Sequence, residues 1–104
     1  MDQPRTITLD ATQWREVSDF YDALLPAIGA PHWHGRNLNA LIDSMIWGGI
    51  NAIEPPYTVR IIHADKLPNN VKQEVADAAQ YISEARDEYH QERAEDVVVK
   101  FEIV

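Results

Sequence analysis

The sequence predicts an α/β protein, a small two-layer fold in which a three-stranded parallel sheet carries its helices mainly on one side. Three short β-rich runs are separated by segments of helical periodicity. Strands that alternate with helices pair in parallel, because the connection must cross the sheet. The right-handed preference of such crossovers sets the helices largely on one face. A length of 104 residues suits one core and leaves no room for a second, so residues 1–104 are read as a single domain.

Each element has a local reason. Thr6-Ile7-Thr8-Leu9 is short and β-rich and reads as the first strand, with Asp10 beginning a turn. Ser18 is a candidate N-cap, since its hydroxyl can accept an orphan amide of the next turn. Phe20, Tyr21, Leu24, Leu25 and Ile28 then recur at helical spacing. Pro26 has no N–H to donate, which predicts an end or a kink near Leu24–Leu25, and Gly29-Ala30-Pro31 marks the stop. Asn37 is a good N-cap for a second helix, on which Leu38, Leu41, Ile42 and Met45 form one apolar stripe before Gly48-Gly49 ends it. Pro55-Pro56 holds the chain extended ahead of Tyr57–Ile62, the second strand. A long third helix starts at Pro68 and buries Val71, Val75, Ala78, Ala79, Ile82, Ala85 and Tyr89, its end falling between Arg86 and His90. Val97–Ile103 is the third strand, and its three valines predict burial on both faces near its start.

Composition narrows the function. At 45% hydrophobic residues the chain is too apolar to be disordered. It has no cysteine, hence no disulfide framework, thiolate metal site or cysteine nucleophile. The first five residues lack the apolar run of a secretory signal, and no stretch approaches the roughly 20 apolar residues that span a bilayer, so a cytoplasmic protein is expected. With 17 acidic and nine basic side chains the net charge is −8. Such a field repels nucleic acid and anionic membranes and favours a basic protein partner.

The most informative stretch is Pro31 to Gly49, in which an aromatic and histidine-bearing loop runs straight into a helix amino terminus. Gly35 is expected to allow a sharp turn that holds Trp33 outward. With Leu38 at 0° and about 100° per residue, Asn39 falls near 100° and Asp43 near 140°, while Leu41 and Met45 lie opposite, near 300° and 340°. A polar pair thus points away from the core beside an aromatic loop.

Pro31, Trp33, His34, Gly35, Asn37, Leu38, Ala40, Leu41 and Asp43 together make a pattern that resembles the barstar family, the inhibitors of barnase-like ribonucleases. Val17-Ser18-Asp19-Phe20 resembles the start of the family's first helix, Glu54 to Val59 the approach to its second strand, and Asp96 to Val99 the approach to its third. The resemblance implies a barstar-like fold with a cis bond at Pro55–Pro56. It implies a cytoplasmic immunity protein without cofactor or catalysis that plugs the active site of a basic ribonuclease toxin in a one-to-one complex. The charge of −8 and the single small domain favour a monomer when free. The family's loop and second helix are the binding edge. On that pattern Asp43 takes the place of a substrate phosphate, Trp33 covers the enzyme's catalytic histidine, and the backbone at Gly35 lies alongside. Asn39 and Ile42 stand where the family prototype carries an aspartate and a tryptophan. The family's acidic contact late in the long helix maps to Glu84, with Glu88 nearly as good, because about ten residues around Asp87–Glu95 look inserted. The candidate contacts are therefore Trp33, Gly35, Arg36, Asn39, Ile42, Asp43, Ile46 and Glu84, with Arg36 requiring an acidic residue on the partner.

Blander readings exist for the same residues. Trp33 can pack its ring over the core edge, and an aspartate on an exposed helix face is ordinarily just solvated. Trp14 and Trp47 read as packing residues, Trp47 capping the second helix against the sheet. His32, His34, His63 and Asp43 would serve a metal- or His/Asp-dependent hydrolase if the fold brought them together. A third class is an acidic adaptor for a basic protein other than a ribonuclease.

Overall fold

The structure is a computed structural model that describes residues 5–104. Strands β1 (Arg5–Asp10), β2 (Tyr57–Ile62) and β3 (Val99–Ile103) pair in parallel in the order β1-β2-β3. Ile7 stands opposite Val59, which stands opposite Phe101. Alternation then sets one face of the sheet inward, with Leu9, Tyr57, Val59, Ile61 and Val99 buried. The other face carries Thr6, Thr8, Arg60, Lys100 and Glu102 and is exposed. All three helices therefore belong to one layer, as the alternation of elements predicts.

Strand β3 corrects one expectation. It begins at Val99 rather than Val97, and Val97 and Val98 are only half-buried. As an edge strand it has a neighbour on one side alone, and the Val98 carbonyl is used before the strand begins, accepting from the Tyr57 amide at 2.9 Å. The bond between Pro55 and Pro56 is cis.

Helix α1 (Val17–Ala27) has Glu16, not Ser18, at its N-cap. The Asp19 carboxylate reaches back over this end and accepts from the amides of Arg15 and Glu16, just ahead of the helix, at 2.8 and 3.0 Å. The helix runs two residues past Leu25, with Pro26 inside its last turn. A proline there removes only one donor, and the amides of Ile28, Gly29 and Ala30 close the end on Leu24, Pro26 and Leu25. Gly29, at a φ of +68°, is irreplaceable on two counts, since a Cβ there would sit 2.6 Å from that of Ala52. Trp14 packs as expected, buried against Phe20.

Helix α3 (Asn69–Arg93) is the spine of the layer. It meets α1, β3 and the second helix, and Val71, Val75, Ala78, Ile82 and Ala85 are buried along it. It outlasts the expected end at Arg86–His90 and stops at Ala94, whose φ is +57°. Arg86 fixes the return of the chain by a two-pronged pair with Asp96, both bonds 2.7 Å. Tyr21 links α1 to α3 by donating its hydroxyl to Glu74. Burial, together with that carboxylate, pushes the Tyr21 hydroxyl pKa well up. Among the described residues no helix is long and apolar enough to cross a membrane.

Two predictions follow from this packing. Leu41, fully buried in the core that also holds α3, should cost about 2–5 kcal/mol as Leu41→Ala, read by chemical denaturation. The second concerns acid. Hydrogen bonds from Thr12 and His63 hold the Asp10 carboxyl down to about 2, and amide donors lower Asp19 and Arg86 lowers Asp96. On unfolding each carboxyl returns to about 3.9, so the unfolded chain takes up the proton first as pH falls. Stabilisation present above about pH 4 should drain away towards pH 2, and Asp10→Asn should flatten that slope in a series of denaturation midpoints.

Candidate partner-binding edge

The loop from Pro31 to Asn37 turns at once: the His34 amide donates to the Pro31 carbonyl at 3.0 Å. Trp33 is thrown outward at the turn and is 68% exposed, whereas His34 folds inward and is buried. Inside, the His34 ring joins the loop to the second helix. Its Nδ1 lies 2.6 Å from the Gly35 carbonyl and its Nε2 2.7 Å from the Ser44 hydroxyl. A carbonyl only accepts, so Nδ1 carries a proton, and in the neutral ring Nε2 accepts from Ser44.

Helix α2 (Leu38–Ile42) starts as expected, with the Asn37 side chain accepting from the Ala40 amide at 2.8 Å. Gly35 is needed for a different reason from the one the sequence suggests. Its φ is not positive; rather, a Cβ there would lie 3.0 Å from Asn37 Nδ2 and 3.2 Å from the Ala40 Cβ, crowding the cap itself.

From Asp43 to Trp47 the helix widens into a π turn, closed by the Gly48 amide on the Asp43 carbonyl. Such turns are rare and frequent at functional sites. Each residue now rotates through a smaller angle. On a regular helix Ile46 would fall near 80°, beside Asn39, at about 100° per residue. The wider turn keeps it facing inward, so that Ser44, Met45 and Ile46 are buried in succession. Ile46, at 2% exposure, is therefore a core residue and is not brought to the edge with Asn39 and Asp43.

The remaining candidates are distributed as follows. Asn39 and Asp43 are exposed and Ile42 is half-buried. Arg36 is exposed but already paired with Asp22 of α1, so its charge is met within the chain. An exposed pair of this kind contributes about 0–1 kcal/mol. Glu84 is exposed on α3, accepting from Gln80 at 3.0 Å, and Glu88 is exposed one turn further on. Trp47 does not cap the helix against the sheet: it rests on Tyr89 of α3 and keeps 43% of its surface exposed.

His32 and His34 line one hollow of about 570 Å³ together with Arg36, and neither His63 nor Asp43 lines it. Both ring nitrogens of His34 are occupied, and His63 sits past β2, 3.0 Å from Asp10 and 3.2 Å from Thr12. Among the described residues no three His, Asp or Glu side chains are placed to hold a metal ion. An apolar hollow of about 400 Å³, lined by Ala64, Leu67, Val75, Ala76 and Ile103, includes none of Trp33, Asn39 or Asp43. Trp33 and Asp43 thus present an exposed indole and an exposed carboxylate on a braced scaffold, and neither lines either of these hollows.

Sequence periodicity missed Ser44, which looks like an ordinary polar residue beside Asp43. Nothing local marks it, because its partner is ten positions away in a loop. Ser44→Ala would strand a buried nitrogen of His34 and should lower stability by about 1–3 kcal/mol in denaturant titration.

No curated protein matches the chain. A family model described as Barstar (barnase inhibitor) matches residues 4–102, almost from end to end. Its span takes in the loop, the π turn and all of α3. The chain belongs to the barstar family.

Proposed function

We propose that this protein is an inhibitor of a ribonuclease toxin, a cytoplasmic immunity protein that occupies the enzyme's active site in a one-to-one complex and performs no catalysis itself. The observation that carries the reading is an exposed Asp43 carboxylate on the π turn and an exposed Trp33 on the loop that His34 ties to that turn, in a member of the barstar family. A ribonuclease holds phosphodiester charge with arginines and lysines, so its empty site is a cationic pocket. A carboxylate can imitate the phosphate and accept two guanidinium hydrogen bonds at once. Trp33 supplies a flat apolar surface for the catalytic histidine, and Gly35 lets the loop backbone come close.

The net charge of −8 aids encounter with a basic enzyme, more so at low salt. Barnase and barstar are themselves the reference pair for such steering and for a dominant aspartate, so neither effect is new to this chain. What differs is the chemistry around the aspartate. Asn39 removes one charge from the edge, and the half-buried Ile42 replaces a large aromatic contact. These changes favour a target other than barnase, a ribonuclease toxin domain of a bacterial competition system. Glu84 or Glu88 provides the acidic contact from α3.

A compact inhibitor of this kind should bury about 1,600 Å² in total. Co-expression with barnase and with barnase-type toxin domains should rescue growth for at least one of them. Asp43→Ala should then weaken calorimetric binding by at least about 2 kcal/mol, the usual threshold for a dominant contact. Unchanged affinity would remove Asp43 from its role.

A further inference from the structure

Trp47 is held from two sides and yet stays open. Tyr89 meets it edge-on, with ring centroids 5.0 Å apart and planes at 64°, and the Arg93 guanidinium lies 5.5 Å from the indole centroid. Both supports come from the last turns of α3. Held in this way, Trp47 still keeps 43% of its surface exposed. What sets it apart is its place beside Asp43 on the π turn. Asp43 and Trp47 begin and end the same π turn, about one turn or roughly 5 Å apart along the axis. A partner seated on Asp43 therefore passes over Trp47.

Arg93 decides what that partner must present. It forms no salt bridge among the described residues, a state it shares with Arg5 and Arg15, whereas Arg36, Arg60 and Arg86 are each paired. It favours the negative end of α3, which accounts for a cation somewhere in the last turn. It does not account for that cation lying on an exposed indole beside a surface meant for a basic enzyme. There a positive charge is repelled unless a carboxylate meets it. Tryptophan and arginine, held rigid in advance, are also the residue types that dominate interface energetics.

We propose that Trp47 and Arg93 form a second contact on the same ribonuclease, docking a part of its rim, outside the cationic cleft, where a carboxylate lies beside an apolar side chain. The inference rests on the reading of Asp43 as the active-site plug. It adds that partner choice is set by α3: Asp43 recognises what every ribonuclease of this type must have, and Trp47 with Arg93 selects by what only some carry.

The sign of one substitution separates this from general attraction. Arg93→Glu makes an acidic inhibitor more acidic, so long-range attraction alone would tighten its grip on a basic enzyme. A local carboxylate partner would loosen it. The probes are catalytically inactivated barnase and barnase-type toxin domains, titrated with the unmodified protein and with R93E, R93Q, W47A and D43A. R93Q keeps the stem over the indole and removes only the charge. With a probe that binds the unmodified chain, R93E and W47A are expected to lose about tenfold in affinity and R93Q about threefold, while melting temperatures stay within a few degrees. R93E and R93Q that bind as well as or better than the unmodified chain overturn the second contact, and D43A then shows by its own loss that the plug still stands. Failure of every probe to bind the unmodified chain overturns the inhibitor reading and this inference with it.

Discussion

The exposed edge that carries Trp33 and Asp43 depends on one buried imidazole. His34 lies between the loop and the second helix, one nitrogen committed to the Gly35 carbonyl and the other to the Ser44 hydroxyl. Loops that carry function need a rigid support, because every residue ordered on binding subtracts from affinity. Here the support is polar and buried, where a hydrogen bond is strong and its loss expensive. Trp33 can stand out in solvent because its neighbour in sequence is anchored beneath it. Ser44 adjoins Asp43, so the same bond that steadies the loop also steadies the residue next to the carboxylate.

That arrangement explains why a π turn is tolerated. Widening the helix gives up regular hydrogen bonding, and it persists only where the surroundings offset it. At Asp43–Trp47 the offset is the burial of three residues in a row and the seating of Trp47 on α3. The turn therefore shapes both sides of the helix at once. Ile46 and Met45 complete the core, while Asp43 and Trp47 remain at the surface.

Charge is distributed with the same economy. The chain is strongly acidic overall, and three of its nine cations are spent internally: Arg36 on Asp22, Arg60 on Glu102 and Arg86 on Asp96. Pairing Arg36 within the chain leaves the loop side of the edge to Trp33 and Asp43. The Arg86–Asp96 clasp closes the chain after the long helix, so the extra turns that reach Trp47 do not loosen the strand that follows.

The sequence by itself determined the order of elements, the parallel sheet with its helices in one layer, the Asn37 cap and the family. These follow from periodicity, turn residues and caps, which are local chemistry, and from a motif of fixed identities between Pro31 and Asp43. It also placed Asp43 and Trp33 correctly at the surface. Only the tertiary structure decided that Ile46 turns inward, that Arg36 is already paired, that β3 starts two residues late, and that Trp47 leans on α3 rather than on the sheet. Each of those outcomes is settled by a neighbour distant in sequence. Periodicity assumes a uniform rotation per residue, and it has no means of registering a turn that widens because another helix lies alongside.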